Sequence, residues 1–546
     1  MTGNSDHGAG AAMLRAPRFL GRARSIAAPG FNRWLVPPCA LAIHLCIGMS
    51  YGFSVFWLPL SRAIGISAPR ACPDLTLAMA LTTTVCDWRV SDLVWIYTLF
   101  FVVLGASAAL WGGWVEREGP RRAAMVAACC WCGGMAIAAV GIALHQLWLV
   151  WLGVGVIGGI GLGLGYISPV STLVKWFPDR RGMATGMAIM GFGGGAMIGS
   201  PLADWLMGRF AGPGGVGVWQ TLLVLAAGYG VFMTAGALGY RVLPPDWTPP
   251  NWSGPKTPAD GAAFHVPLQL VHRTPQFWLI WLVLLLNVSA SIGIIGLASP
   301  MLQEVFGGRL VGADGLRLTD LDAGQQKAAA AMGAGFVGLI SLFNIGGRFF
   351  WASLSDRLGR KPLYGLILMV GALLYGLGVP AFASASLGLF VLAFCVIASM
   401  YGGGFAAVPA YLADTFGTRF VGAVHGRLLT AWSVAGVLGP LLVAYMRDAR
   451  IAAGAAGAGV YQPIFMAMAA MLLVGLVINQ FVRPVKQRFR VAETPADAAG
   501  TAAVVAAGPA GAPSRPIIVA AAWALVGLPL AAGAAVVLGK AMVLLG

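Results

Sequence analysis

One arginine lies deep inside an apolar stretch of the chain and has the chemistry to bind an anion. Arg348 belongs to the segment 333–362, which begins as a helix rich in small apolar residues and ends in a charged loop. It precedes Asp356 of that loop by eight residues, about 12 Å of helix rise. A charge at that depth costs several kcal/mol, and such charges are kept mainly for function. The alternative is a long side chain that reaches the membrane surface.

The guanidinium group of Arg348 suits a carboxylate because it is planar and can donate two parallel hydrogen bonds. Low dielectric would strengthen the pairing, and a bound anion would offset the cost of burying the arginine. An empty, positive site would resist closure, whereas a neutralised site could close and switch. A site that closes only when an anion is bound favours obligate anion exchange.

Few other residues could carry chemistry. The predicted spans hold no Asp or Glu near their middle, since Asp92 and Asp204 lie near predicted ends, so we do not expect a carboxylate proton relay. His44 is a possible proton group, although a lone histidine on an apolar helix more often only packs. No metalloprotease, serine-hydrolase or P-loop motif occurs, so we expect no enzyme, cofactor or metal site.

The composition is that of a membrane protein with many spans. Of 546 residues, 58% are hydrophobic and 10% are charged, whereas soluble domains carry about 25% charged residues. The net charge of +16 comes from basic residues in loops on one side of the spans. This pattern is typical of positive-inside topology and not of nucleic-acid binding. The arginine-rich N-terminal residues carry no cleavable signal and predict a disordered cytoplasmic tail.

Twelve apolar segments of transmembrane length fall into two sets of six, and a thirteenth follows. The predicted fold is an all-α membrane protein. The predicted parts are a basic tail (1–33), an N-terminal six-helix half (34–240), a central cytoplasmic loop (241–275), a C-terminal six-helix half (276–482), a low-complexity linker (483–515) and an extra transmembrane helix (516–545).

Two short loops at matching positions in the halves support an internal repeat. Each follows the second span of its half and reads acid, Arg, any residue, Gly, then Pro and a basic residue or two basic residues. Glycine permits the tight turn, and the acid can face the N-terminus of a neighbouring helix, where the dipole favours it. We expect conformational switching at these loops, through Glu116, Arg117, Gly119 and Arg121 in the first and Asp356, Arg357, Gly359 and Arg360 in the second.

Cys72 and Cys86 share the loop 61–91, on the side opposite to the basic loops. They are the two cysteines predicted to lie outside both the lipid and the cytoplasm. An oxidising compartment would allow them to form a disulfide. Two free or buried thiols are the alternative.

The doubled loop motif resembles that of the major facilitator superfamily. Within it, the segments 175–186, 273–278 and 342–348 look like the oxalate:formate antiporter family, and the likeness covers about residues 34–485. The resemblance implies a twelve-helix transporter with a central anion site that opens alternately to each side. The thirteenth segment is similar to the small single-span proteins associated with some members of this family.

The resemblance also implies which residues form the site. In the family's oxalate carrier, two cations hold the dicarboxylate, one on helix 8 and one on helix 11. Arg348 matches the first, but Trp432 stands at the second. Arg427 is the nearest cation in that helix and is a possible second ligand, or it belongs to the interface. Aromatic cavity positions of the family are matched by Tyr51, Tyr166, Tyr401 and Phe405.

One matched cation favours a small monocarboxylate, such as formate or lactate, over oxalate. Oxalate/formate exchange through Arg427 and proton-coupled symport are alternatives. A membrane receptor would need a signalling domain, for which the tails are too short. We expect a monomer in a bacterial-type inner membrane, with the N-terminus cytoplasmic and small carboxylate anions and the lipid bilayer as partners.

Overall fold

A computed structural model describes residues 20–65, 70, 72, 75–213, 215–244, 247–250, 252, 264–492 and 514–542. Thirteen helices in this part of the chain are long and apolar enough to cross a membrane. We number them α1 to α13, with the bounds Arg33–Leu60, Ser91–Glu118, Pro120–Ala143, Leu147–Trp176, Arg181–Phe210, Val218–Gly239, Pro275–Ile295, Ala323–Leu358, Arg360–Ala385, Leu387–Phe416, Val421–Ala452, Ala458–Gln480 and Pro516–Gly539.

The thirteen predicted apolar segments are confirmed as helices, but the predicted span 276–303 is wrong in one respect. It consists of α7 and a separate short helix, Ala298–Phe306. Pro300 accounts for the break, because a proline has no N–H to donate to the carbonyl of Gly296 and its ring crowds that position. Helix α8 is longer than predicted, because the side chain of Asp322 caps it by accepting from the Gln325 amide at 2.8 Å.

The N-terminal segment differs from the expected free tail. Residues 1–19 lie outside the described residues, but Arg22–Ser25 forms a 3₁₀ turn in which Ser25 is buried. Arg22 donates to the Glu116 carbonyl at 3.0 Å. Arg33 donates to both carboxylate oxygens of Asp179, at 2.7 and 2.9 Å. These arginines therefore attach the segment to loops between helices, where carboxylates and free helix-end carbonyls are available.

A short antiparallel pairing joins the central loop to the start of the linker. Strand β1, Phe264–His265, pairs with strand β2, Val491–Ala492. The sequence analysis missed it because a two-residue strand has no readable alternation. The rest of the linker, residues 493–513, lies outside the described residues.

The ends of the helices that carry the two repeated loops form one surface, which we call the basic face. There, Glu116 at the end of α2 accepts from the Gly422 amide of α11 at 2.8 Å. Asp356 at the end of α8 accepts from the amides of Gly182 and Met183 of α5, at 2.8 and 2.9 Å. Each carboxylate thus caps the first turn of a helix in the other half, where the helix dipole favours negative charge.

Salt bridges reinforce this closure of the basic face. Arg181 of α5 pairs with Asp414 of α10 at 2.8 Å, so the two halves are also joined through side chains. Arg360 pairs with Asp414 at 2.9 Å and with Asp356 at 2.7 Å. In the other half, Glu116 pairs with Lys175. The network is partly buried, so water screens it less than a surface pair.

The remaining residues of the repeated loops have different surroundings. Gly119 and Gly359 have φ of +90° and +87°, which L residues with side chains rarely adopt. Arg121 is buried and donates to the carbonyl of Tyr240 at 3.1 Å. Arg117 and Arg357 are exposed. The glycines therefore permit the turns, and the two exposed arginines add positive charge to this face.

Removing the charge of Asp356 is expected to weaken closure of the basic face. Charged groups at a helix N-terminus contribute about 1 kcal/mol, or about a fivefold change in the closed population. Ser168 of α4 is buried, about two turns from the basic-face end of that helix. In a chain without other free cysteines, Asp356→Asn should raise the alkylation of Ser168→Cys by an impermeant maleimide about fivefold. Glu118→Gln is the control, because Glu118 pairs with Arg122 beside its own loop. Unchanged alkylation in Asp356→Asn would contradict this role.

Cys72 and Cys86 are joined by a disulfide in the structure, with their Cα atoms 5.9 Å apart. We predict the same bond in the protein isolated from membranes. Mass spectrometry of non-reduced peptides, after alkylation of free thiols, should recover the two cysteines without the alkylating group and joined by a disulfide. Recovery of both residues in alkylated form would exclude the bond.

Candidate anion-binding site

Arg348 is fully buried at the contact between the two halves. Its Nε donates to Asn344 Oδ1 at 3.1 Å, and its Nη1 donates to the Ile189 carbonyl of α5 at 3.4 Å. Asn344 in turn donates to the Ala398 carbonyl of α10 at 2.9 Å. The Nη2 group is buried and has no hydrogen-bond partner among the described residues. The guanidinium is therefore fixed by three helices and keeps one NH₂ group available.

Glycines provide the space that this buried side chain needs. A Cβ on Gly193 of α5 would lie 3.3 Å from Arg348 Nε, and a Cβ on Gly402 of α10 would lie 3.1 Å from Arg348 Cγ. Phe405 of α10 has its ring centroid 5.8 Å from Arg348 Cζ, within the range of a cation–π interaction. The glycine-rich stretches of α5 and α10 thus form a slot for the arginine.

None of the described hydrogen-bond partners of Arg348 carries a negative charge, since they are a side-chain amide and a backbone carbonyl. An unpaired buried cation costs several kcal/mol even after relaxation. In low dielectric the same charge attracts an anion strongly. The site is thus electrostatically prepared for an anionic ligand.

Trp432 is the centre of a group of rings that adjoins Arg348. It is fully buried, and the centroids of five other rings lie 5.0 to 6.3 Å from its own. The six residues come from both halves, and we call them the aromatic cluster: Tyr51, Phe101, Tyr166, Phe192, Phe405 and Trp432. Their faces exclude water, so a polar group inside the cluster must find its partners among protein donors or a ligand.

Three buried groups at this site lack a well-aligned hydrogen bond among the described residues. They are the hydroxyls of Tyr166 and Tyr401 and the Nε1 of Trp432. The nearby polar side chains are Arg348 for the Tyr166 hydroxyl, and Tyr51 and Arg348 for the Tyr401 hydroxyl. A buried donor without an acceptor costs about 1–3 kcal/mol. Together with Arg348 Nη2, these groups are candidate donors to an anion.

The Major Facilitator Superfamily model matches residues 40–440 and, in a second match, residues 325–545. The chain belongs to this superfamily. It is therefore a membrane transporter with the twelve-helix fold, to which α13 is added, and not an enzyme.

Several transporters in this superfamily are similar to the chain over most of their length. The oxalate:formate antiporter of Oxalobacter formigenes is 24% identical, over 75% of this chain and 83% of the relative. The apicoplast pyruvate carrier 1 of Toxoplasma gondii is 25% identical, over 70% and 78%. The human monocarboxylate transporter 11 is 28% identical, over 76% and 77%. The first match confirms the resemblance seen in the sequence.

Solved structures agree on the fold. The fucose:proton symporter of E. coli superposes with a TM-score of 0.55 at 12% identity, covering 83% of this chain and all of that one. The proton:xylose symporter XylE gives 0.57 at 12% identity, covering 83% and 96%. At this identity the likeness concerns the transporter fold alone.

Arg427 does not lie with the other predicted site residues. Its Nη1 donates to the Leu268 carbonyl at 2.7 Å and contacts His272 at 3.1 Å, at the segment before α7. Partial burial and the charge of Arg427 lower the pKa of His272, so its ring stays neutral and can accept the hydrogen bond. The structure thus places Arg427 at the segment before α7, and its role as a second ligand stays a prediction.

His44 lies beside the aromatic cluster, 5.1 Å from the ring of Tyr166 between centroids. Its Nδ1 is 2.6 Å from the Ala188 carbonyl, and its Nε2 is 3.3 Å from the Tyr166 carbonyl. These contacts tie α1 to α5 and α4. The packing interpretation of His44 therefore accounts for its position, and a proton-carrying role stays a prediction.

Asn344, Phe101, Phe192 and His425 were missed by the sequence analysis. Asn344 could have been found, because it lies four residues before Arg348 and so shares its helix face. The two phenylalanines carry no signal beyond hydrophobicity, and tertiary packing alone brings them to Trp432. His425, buried and 5.8 Å from the ring of Tyr166, has neither ring nitrogen bonded among the described residues.

Replacing Arg348 is expected to abolish transport while the protein still folds. Losing one partner of a buried, hydrogen-bonded charge pair costs roughly 2–5 kcal/mol, a thirtyfold or larger loss of affinity. Arg348→Gln should therefore be inactive in proteoliposomes. Arg348→Lys should retain a small activity, because lysine keeps the charge but cannot donate two parallel hydrogen bonds. Near-normal uptake by Arg348→Gln at low substrate concentration would exclude Arg348 as the anion ligand.

Proposed function

We propose that this transporter carries small monocarboxylates, such as formate or lactate, by alternating access and exchanges one anion for another. The observation that supports this most directly is the burial of Arg348 without a negatively charged partner among the described residues. The named relatives include carriers of oxalate, formate, pyruvate and monocarboxylates. The carboxylate group is common to all these substrates.

In the proposed mechanism, the carboxylate accepts hydrogen bonds from Arg348 Nη2 and from the hydroxyls of Tyr166 and Tyr401. The aromatic cluster removes water from the anion, which strengthens these bonds. Binding neutralises the charge at the contact between the halves and permits the closed state. The caps at Glu116 and Asp356 then break, and the basic face opens. Without an anion, closure over an unpaired charge is costly, so exchange is favoured over net transport.

A single positive charge at the site favours a monocarboxylate over oxalate. A dianion held by one cation would leave one charge uncompensated in low dielectric, at a cost of several kcal/mol. The contact of Arg427 with His272 and Leu268 supports its exclusion from the site. The indole of Trp432 occupies the matching position of helix 11 and can pack against the carbon face of a small acid.

We further infer a bacterial-type inner membrane as the location, with the basic face in the cytoplasm. The exposed arginines of that face, Arg117 and Arg357, support this orientation through the positive-inside rule. The disulfide between Cys72 and Cys86, on the opposite side, fits an oxidising compartment.

Purified protein in liposomes tests the proposed function. Uptake of labelled formate, lactate, pyruvate and oxalate is measured with and without an unlabelled anion inside. The proposal expects monocarboxylate uptake that depends on the internal anion, in wild type but not in Arg348→Gln. Uptake that needs no internal anion but follows an imposed proton gradient would overturn exchange. Absence of uptake of all four acids would overturn the substrate class.

Trp432→Lys should change the substrate preference. The added cation supplies the second charge that a dicarboxylate needs, so we expect oxalate to compete better in the variant and lactate to compete less well. Trp432→Phe is the matched control, since it changes the size of the side chain without adding charge. Strong and selective oxalate uptake by the wild type would indicate that another cation, such as Arg427, completes the site.

A further inference from the structure

Helix α13, Pro516–Gly539, lies against α1 and α5 of one half and α8 of the other. Most of its surface is exposed. The residues that make contact recur every three or four positions and so form one stripe. We call this stripe the docking face: Trp523, Val526, Leu530, Gly533 and Val537.

The first part of the docking face binds the N-terminal half. Val526 is buried against Leu41 and Ala42 of α1. Trp523 Nε1 donates to the Trp34 carbonyl at 3.0 Å. These contacts fix α13 beside α1 at the end near the basic face.

The second part of the docking face lies over the boundary between the halves. A Cβ on Gly533 would be 3.1 Å from Ile198 Cγ1 of α5. A Cβ on Gly338 of α8 would be 3.1 Å from Val537 Cγ1. Within five residues, α13 thus touches one helix of each half. Both contacts lie farther from the basic face than Arg348 does, as the order of residues along α5 and α8 shows.

The same helix supports the wall behind the anion site. Leu530 occupies the space over Gly194 of α5, where a Cβ would collide with it. The preceding residue, Gly193, faces Arg348. A shift of α13 would therefore displace the α5 backbone that confines the side chain of Arg348.

We propose that α13 docks on the boundary of α5 and α8 and holds these helices together on the face opposite to the basic face. This inference rests on the proposed alternating access, because opening that face requires α5 and α8 to separate there. The contacts of Gly533 and Val537 cannot both survive this separation. By opposing it, α13 stabilises the state in which the site is closed to both sides.

The chemistry of the contact suits a reversible clamp. In lipid, helices associate through close van der Waals packing of small residues, and the apolar side chains gain little from leaving lipid. Glycines at positions 194, 338 and 533 permit the close approach. Such an interface can form and break in each transport cycle.

Engineered cysteines test whether the contact exists in the membrane. A Cβ on Gly338 would lie 3.9 Å from Val537 Cβ, within the distance that a disulfide spans. In the full chain without other free cysteines, Gly338→Cys with Val537→Cys should crosslink under mild oxidation. Gly338→Cys with Val536→Cys is the control, since residue 536 is exposed. No crosslink in the first pair, or equal crosslinking in both pairs, would overturn the docking site.

A paired variant tests whether the contact holds α5 and α8 together. Leu530→Ala with Val537→Ala weakens the docking face, and Leu528→Ala with Val536→Ala makes the same changes on the exposed face. Spin labels on Trp205→Cys of α5 and Lys327→Cys of α8, both exposed positions, report the separation of the two helices without any substrate. We expect the separated population to rise about fivefold, and exchange to slow about fivefold, in the first variant only.

The outcomes separate this inference from the proposed function. Unchanged label distances in the docking-face variant, or the same change in both variants, would overturn the role of α13 whatever the protein transports. A wild type that takes up none of the tested acids would overturn the substrate proposal. In that case a shift in label distance confined to the docking-face variant would still support the clamp.

Discussion

The architecture of this transporter depends on one buried positive charge. Arg348 is removed from water, yet its described hydrogen-bond partners are neutral. The cost of such a charge is of the order of several kcal/mol, and an anion can offset it. The slot of glycines, the aromatic cluster and the unpartnered hydroxyls all serve this group. They hold it in place, exclude water around it and, in the proposed mechanism, supply further donors to the anion.

The basic face and α13 act on the two ends of the same contact between the halves. At one end, carboxylates from the repeated loops cap helices of the opposite half, so closure there is electrostatic. At the other end, α13 joins α5 to α8 by close packing alone. Arg348 and Gly193 lie between the two. A transporter built this way can respond to anion charge at its centre and to helix packing at its periphery.

Much of the fold and part of the candidate site could be predicted from the sequence, because membrane spans and repeated loops have recognisable sequence patterns. Apolar length identified the thirteen helices, and the acid-Arg-x-Gly pattern identified the residues that cap helices across the basic face. The depth of Arg348 in its segment followed from helix rise. The break before Ala298–Phe306 could have been predicted from Pro300, but a hydropathy profile shows one continuous apolar segment there.

Other features depend on tertiary contacts that have no local signature. Phe101 and Phe192 reach Trp432 only because α2, α5 and α11 converge. The orientation of Arg427 is set by its contact with the Leu268 carbonyl, and helix spacing alone does not determine it. The position of α13 was likewise unreadable, because an apolar stripe on a lipid-exposed helix resembles the rest of its surface.

Equilibrium binding to purified protein tests the central claim most directly, because it separates anion recognition from the transport cycle. Labelled lactate and formate are titrated against wild type, Arg348→Lys and Arg348→Gln. The account predicts one saturable site per chain in the wild type, weaker binding in Arg348→Lys and no saturable binding in Arg348→Gln. Equal affinity of the wild type and Arg348→Gln for these anions would contradict it.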